Sequence, residues 1–171
     1  ASLSGSRLKG SSLKGSSLRA SSFESGNNSS CVVHIHWRDV QVLLPGDIER
    51  AAEYQLLESG RLDGSQIDLL VAPHHGSKTS STPKFVQQLS PKHVVFSAGY
   101  QHQFGHPHPS VTKAYSAVGS RTWNTADQGA ITFEWFSSEE LTEELIDEPS
   151  ETRSGELRIT TARGQAQRWW R

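Results

Sequence analysis

The run Leu69-Leu70-Val71-Ala72-Pro73-His74-His75-Gly76-Ser77 limits the fold of this chain more than any other feature, because an apolar strand stops there at two imidazoles and a glycine. A short apolar run bounded by Pro and Gly fits a buried strand, not a helix. A second apolar strand, residues 40–44, stops in the same way at Gly46 and Asp47. A carboxylate and a histidine pair can therefore meet at the carboxyl edge of one sheet, a place where metal sites are built. That combination points to a metal-dependent hydrolase.

The rest of the chain supplies the layers around these strands. Cys31, Val33, Ile35 and Trp37 alternate with Val32, His34, His36 and Arg38, which predicts a strand burying the first set. Residues 48–59 read as a helix closed by Gly60, and residues 67–72 as a buried strand. Thr82 and Pro83 predict the cap and first turn of a helix over 84–89, followed by a strand over 93–97. Ser110 is placed as the cap of a helix over 111–118, and strands over 121–124 and 130–136 flank a turn at Asp127, Gln128 and Gly129. Strands alternating with helices predict an α/β layered unit.

Three units are expected. Residues 1–26 are low in complexity and repeat Gly-Ser-Ser-Leu-Lys-like phrases with a period of five, which matches neither a helix nor a strand, so a disordered leader is predicted. Residues 27–136 form the folded unit, and 137–171 a charged, mostly solvated tail. A net charge of -1 gives no overall attraction to nucleic acid, so binding to a polyanion has to come from a local patch or a metal. The single cysteine, Cys31, excludes an internal disulfide. No stretch approaches the roughly 20 apolar residues of a membrane span, and a soluble piece is expected.

Asp47, His74 and His75 are the candidate metal ligands: the carboxylate can bridge two divalent ions while neutral imidazoles fill the remaining positions. His106, held between Gly105 and Pro107 in a histidine-rich loop ahead of a helix N-terminus, is the candidate proton donor or anion contact. His34 and His36 imitate a His-x-His zinc motif, but they share the strand face expected to be solvated. They are read as dispensable, and His93 and His102 as structural or exposed.

In order along the chain, Asn28-Ser29-Ser30-Cys31-Val32-Val33, Leu43-Leu44-Pro45-Gly46-Asp47-Ile48-Glu49, Pro73-His74-His75-Gly76-Ser77, Phe104-Gly105-His106-Pro107 and Thr125-Ala126-Asp127-Gln128-Gly129-Ala130-Ile131 resemble the metallo-β-lactamase-like domain of the ComEC family of competence proteins. The resemblance covers about residues 27–136. It implies an αββα sandwich with two divalent ions, zinc or manganese, that hydrolyses the DNA strand not imported. By resemblance Asp47 is the bridging carboxylate, His74 or His75 a late histidine ligand, and His106 a substrate-side histidine, with Ser77 and His108 beside it as substrate contacts. The implied partners are single-stranded DNA, the membrane channel of an inner-membrane parent and other competence proteins.

Two departures qualify this. The His-x-Asp-x-Asp-His cluster that supplies most of the family's ligands has no match here, and Pro45 replaces the usual small hydroxyl residue. The chain is therefore expected to be the second half of the αββα fold only, binding metal weakly by itself. A non-catalytic half-domain that docks on the channel or binds DNA weakly, and a hydrolase of another substrate, stay open as alternatives.

Overall fold

The computed structural model describes residues 26–62, 66–100, 103–136 and 157–163. The low-complexity leader, His102 and the Trp169-Trp170 end lie outside the described residues. The chain is mixed α/β. A five-stranded sheet in the order β1-β2-β3-β4-β5 is built from β1 (Val33–Trp37), β2 (Val40–Leu44), β3 (Leu69–Val71), β4 (His93–Phe96) and β5 (Arg121–Asn124). The first pair is antiparallel and the other three are parallel. Helices α1 (Arg50–Glu58), α2 (Pro83–Leu89) and α3 (Pro109–Ala117) make the crossovers.

All three helices cover one face. Leu43, Leu70 and Val94 lie in register across β2, β3 and β4, and with Phe96 they join Leu57, Phe85, Val86, Leu89, Val111 and Tyr115 in one buried cluster. This is the principal core, and its apolar burial is the main stabilising term. The α1 and α2 layers are joined by a buried carboxylate. Glu53, 0 % exposed, accepts hydrogen bonds from the Ser81 amide and from the Thr82 amide at 2.8 Å, while Thr82 itself caps α2.

The opposite face is only partly covered, which corrects the burial expected for β1. Val33, Ile35 and Trp37 are 43, 44 and 48 % exposed and Cys31 is exposed as well. In register beside them stand Leu44, Val42 and Val40, which are half-buried. The alternation is correct and the strand exists, but β1 is an edge strand and nothing among the described residues covers its Val33, Ile35 and Trp37 side. His34, on the helix side, is half-buried with Nε2 3.0 Å from Gln41 Oε1.

A short hairpin covers the other end of this face. β6 (Ile131–Trp135) pairs antiparallel with β7 (Leu157–Thr161), and Phe133 sets its ring 5.6 Å from His93 and 5.8 Å from Trp123. The reading of the tail as solvated thus does not hold for β7. Two further expectations shift. The turn at Asp127 to Gly129 is a short helix, α4 (Thr125–Gln128), capped by the Asn124 side chain, and the cap of α3 is His108, two residues before Ser110.

His93 carries a pH dependence. Its Nδ1 accepts a hydrogen bond from Trp123 Nε1 at 3.2 Å, and partial burial, then the charge of Arg121, holds its pKa below the ordinary 6.5. A base whose folded pKa is depressed favours the folded state when neutral. Its contribution is present above pH 6.5 and is lost as pH falls through the folded value. The unfolding midpoint should fall between about pH 7.5 and about pH 5.5, and His93→Gln, which can still accept from Trp123, should make that slope shallower. An unchanged slope in the variant would assign the effect elsewhere.

Candidate metal and phosphate site

Three parallel strands deliver the candidate residues to one edge. β2 runs out into Pro45-Gly46-Asp47, β3 into the 3-10 turn Pro73–Gly76, and β4 into the loop that carries His106. Carboxyl ends of parallel strands are where α/β sheets bind ligands. Gly46 has φ +64°, and a Cβ there would lie 2.9 Å from Ser30 Cβ, so the Gly-Asp turn closes on the residue 30 segment only because it lacks a side chain. Ser30 Oγ then accepts from the Asp47 amide at 3.1 Å.

The histidine turn is strained. His74 and His75 both adopt left-handed backbone conformations, with φ of 48° and 57°, which costs about 1–3 kcal/mol per residue and is found where surrounding structure enforces it. Here the enforcement is visible: the His74 amide donates to Gly46 O at 3.1 Å, and Ser80 Oγ donates to Pro73 O at 2.8 Å. At Gly76 a Cβ would sit 2.7 Å from Phe96 Cδ1 and 2.9 Å from Pro107 Cβ. The His108 amide donates to Gly76 O at 2.9 Å and fastens the His106 loop to the same turn.

Two left-handed residues in succession send neighbouring rings to different partners. His75 Nδ1 lies 2.8 Å from the Ser97 carbonyl, an acceptor only, so Nδ1 carries the proton and donates. In the neutral ring Nε2 is then a lone pair, and it faces Asp47 Oδ1 at 3.6 Å. In that form two acceptors face each other across a gap that a cation would fill. Two ligands about 2.1 Å from one ion at a tetrahedral angle lie roughly 3.4 Å apart, so Asp47 and His75 fit as adjacent ligands.

His74 is committed on both nitrogens. Nε2 lies 3.5 Å from Asn27 Nδ2, which can only donate, and Nδ1 lies 3.2 Å from both Thr79 Oγ1 and Glu49 Oε1. Thr79 Oγ1 in turn donates to Glu49 Oε1 at 2.9 Å. This hydroxyl, followed by the Asn27 amide and the His74 ring, holds the Glu49 carboxyl below its ordinary 4.5 against the opposing effect of burial. Glu49, Asn27 and Thr79 were not legible as site residues. The only signal in the sequence was that Glu49 follows Asp47 by two residues.

The remaining candidates sort by contact. The His106 ring lies 6.1 Å from that of His74 and stacks on Phe104 at 27° and 6.1 Å. His108 Nδ1 accepts from the Ser110 amide as the cap of α3. Ser77 is 6 % exposed, with its hydroxyl 3.1 Å from that of Thr79, so it shapes the turn. His36 pairs with Gln41, at the end of β2 remote from Asp47. Among the described residues no group of three or more His, Cys, Asp or Glu is arranged to hold a metal ion.

This arrangement belongs to a sequence with named relatives. The chain is 32% identical over 111 residues to ComE operon protein 3 of Bacillus subtilis (strain 168), a match covering 65% of the chain and 14% of that protein. The chain is similar to competence proteins. It is 33% identical over 108 residues to competence protein ComA of Neisseria gonorrhoeae, covering 63% of the chain and 15% of that protein, and 33% identical over 110 residues to Recombination protein 2 of Haemophilus influenzae, covering 64% and 14%. It thus spans about one seventh of these curated relatives. No family model and no solved structure matches it. No helix among the described residues is long and apolar enough to cross a membrane.

Proposed function

We propose that this chain is the later half of a metallo-β-lactamase-like domain in a competence protein, and that the complete domain hydrolyses phosphodiesters of the DNA strand that is not imported. The observation that carries this reading is the pair formed by His75 Nε2 and Asp47 Oδ1, 3.6 Å apart and oriented by the Ser97 carbonyl. A histidine ligand whose second nitrogen donates to a backbone carbonyl is the usual way a metal site fixes its imidazole. The uncovered face of Val33, Ile35 and Trp37 supports the half-sandwich, since a sheet with helices on one side only needs a second layer on the other.

Zinc or manganese bound there would supply a water of lowered pKa and a Lewis acid for a phosphoryl oxygen. Asp47 and His75 would hold two of its coordination positions. His74 is a positioning residue: with Glu49, Thr79 and Asn27 it ties three loops together and sets the orientation of His75. His106 stands on the substrate side, where it contacts the phosphate or gives a proton to the leaving oxygen. Single-stranded DNA, the channel portion of the parent membrane protein and other competence proteins are the partners this reading names.

Calorimetric titration of the chain with zinc and with manganese tests the assignment. Wild type should bind weakly, because two protein ligands are fewer than a tight site needs. His75→Ala and Asp47→Ala should abolish the binding heat, whereas His74→Ala should weaken affinity by about 10- to 100-fold without changing stoichiometry. Loss in His74→Ala with binding retained in His75→Ala would exchange the two roles. A second reading, a docking half-domain without catalysis, is favoured by the same exposed Val33, Ile35 and Trp37 face. Absence of any metal-dependent DNA cleavage by the complete parent domain would select it.

A further inference from the structure

We propose that Tyr100 and Phe104 form a stacking platform for unpaired nucleobases, so that the site takes a single strand and reads it without base preference. The inference rests on the phosphodiester reading above and adds the residues that select the strand. Tyr100 and Phe104 are 67 and 65 % exposed, more than the other large apolar side chains exposed at the described surface, and both stand in the loop that presents His106. Apolar rings left in water beside a proposed catalytic histidine cost solvation unless a ligand covers them.

Each ring is held before a ligand arrives. The Arg163 guanidinium lies 5.2 Å over the Tyr100 ring, and its Nη1 donates to Ala126 O at 2.8 Å and to Asp127 O at 2.9 Å. One side of Tyr100 is thereby backed by a fixed cation. Phe104 stacks on His106, so a base on Phe104 is one ring away from the group proposed to meet the phosphate. A cavity of about 820 Å³ opens beside Tyr100 and His106, lined also by Trp123, Asn124, Asp127 and Gln128.

Asn124, in the wall of that cavity, is paired within the wall. Asn124 Nδ2 donates to Asp127 Oδ2 at 2.8 Å, its Oδ1 accepts from the Ala126 amide at 3.0 Å, and its amide donates to Gln128 Oε1 at 2.9 Å. Asn124 Oδ1 and the Asn124 amide, paired in this way, are not offered to a base edge. Binding therefore falls to the ring faces, and stacking is tolerant of sequence because every base has a π face. A duplex hides those faces, which makes the platform selective for single strands.

Fluorescence anisotropy of the full chain in EDTA tests this with three probes: a short oligo-dT, an abasic strand of the same length and a blunt duplex. Oligo-dT should bind about tenfold tighter than either of the others. Tyr100→Ala and Phe104→Ala should each remove most of that preference and leave the abasic affinity and the thermal midpoint unchanged, while Tyr100→Trp and Phe104→Tyr retain it. Equal affinity for oligo-dT and the abasic strand, or alanine variants that bind oligo-dT like wild type, would overturn the platform. Because metal is chelated, such a result leaves the hydrolytic reading to its own titration, and failure of that titration leaves this measurement intact.

Discussion

Glu53→Ala should destabilise the fold by about 3 kcal/mol, a large share of the roughly 5–15 kcal/mol by which a domain of this size is stable. The carboxylate is 0 % exposed and accepts from two amides, Ser81 and Thr82, at the entry to α2. Truncation strands both donors in a dry site, and a buried unpaired donor costs more than the hydrogen bond itself contributed. The Tyr115 hydroxyl, 3.1 Å from Ser81 Oγ, sits in the same buried cluster, and its pKa is pushed up by burial. Glu53→Gln keeps one acceptor and should recover part of the loss. Urea unfolding followed by tryptophan fluorescence measures both: the midpoint should fall in the order wild type, Gln, Ala, with the slope unchanged. A midpoint for Ala equal to that of wild type would mean that water reaches these amides. The consequence for the site is direct, because residues 77–82 carry both the α2 entry and Thr79, which holds His74.

In the complete parent domain, His106→Ala should lower DNA cleavage by ~100-fold or more with metal content unchanged. Asp47→Ala should lose both metal and activity, since removing a carboxylate proposed to bridge the ions opens the coordination shell. The contrast follows from position. Asp47 faces His75 Nε2 across the gap proposed for the ion, whereas His106 stands behind Phe104 and His74 on the loop fastened to Gly76. Metal content and single-stranded DNA cleavage measured on the same preparations separate the two roles. Loss of metal in the His106 variant would move that residue into the ligand set.

Much of the fold is legible from period and punctuation. The strands at 40–44 and 93–96, the Thr82-Pro83 start of α2 and the α/β alternation are properties of short stretches of chain, and the structure keeps them. So is the delivery of Asp47, His74, His75 and His106 to loops at one sheet edge, because parallel strands joined by helices must point the same way. Where elements differ, a neighbour distant in sequence decided. β7 pairs with β6 from beyond an intervening charged stretch, and in this two-stranded sheet its interstrand hydrogen bonds all come from that one distant partner.

What the sequence by itself determined is therefore the order of elements and the edge at which the polar residues gather. Only the tertiary structure decided which imidazole does what. His74 and His75 are adjacent and chemically identical, and it is the pair of left-handed conformations, enforced by Gly46, Pro73 and Gly76 contacts, that gives one ring to Asn27, Thr79 and Glu49 and the other to Ser97 and Asp47. The same holds for β1. Alternation showed that Val33, Ile35 and Trp37 share a face, but whether a face is buried depends on a second layer, and a layer is never a property of the strand it covers.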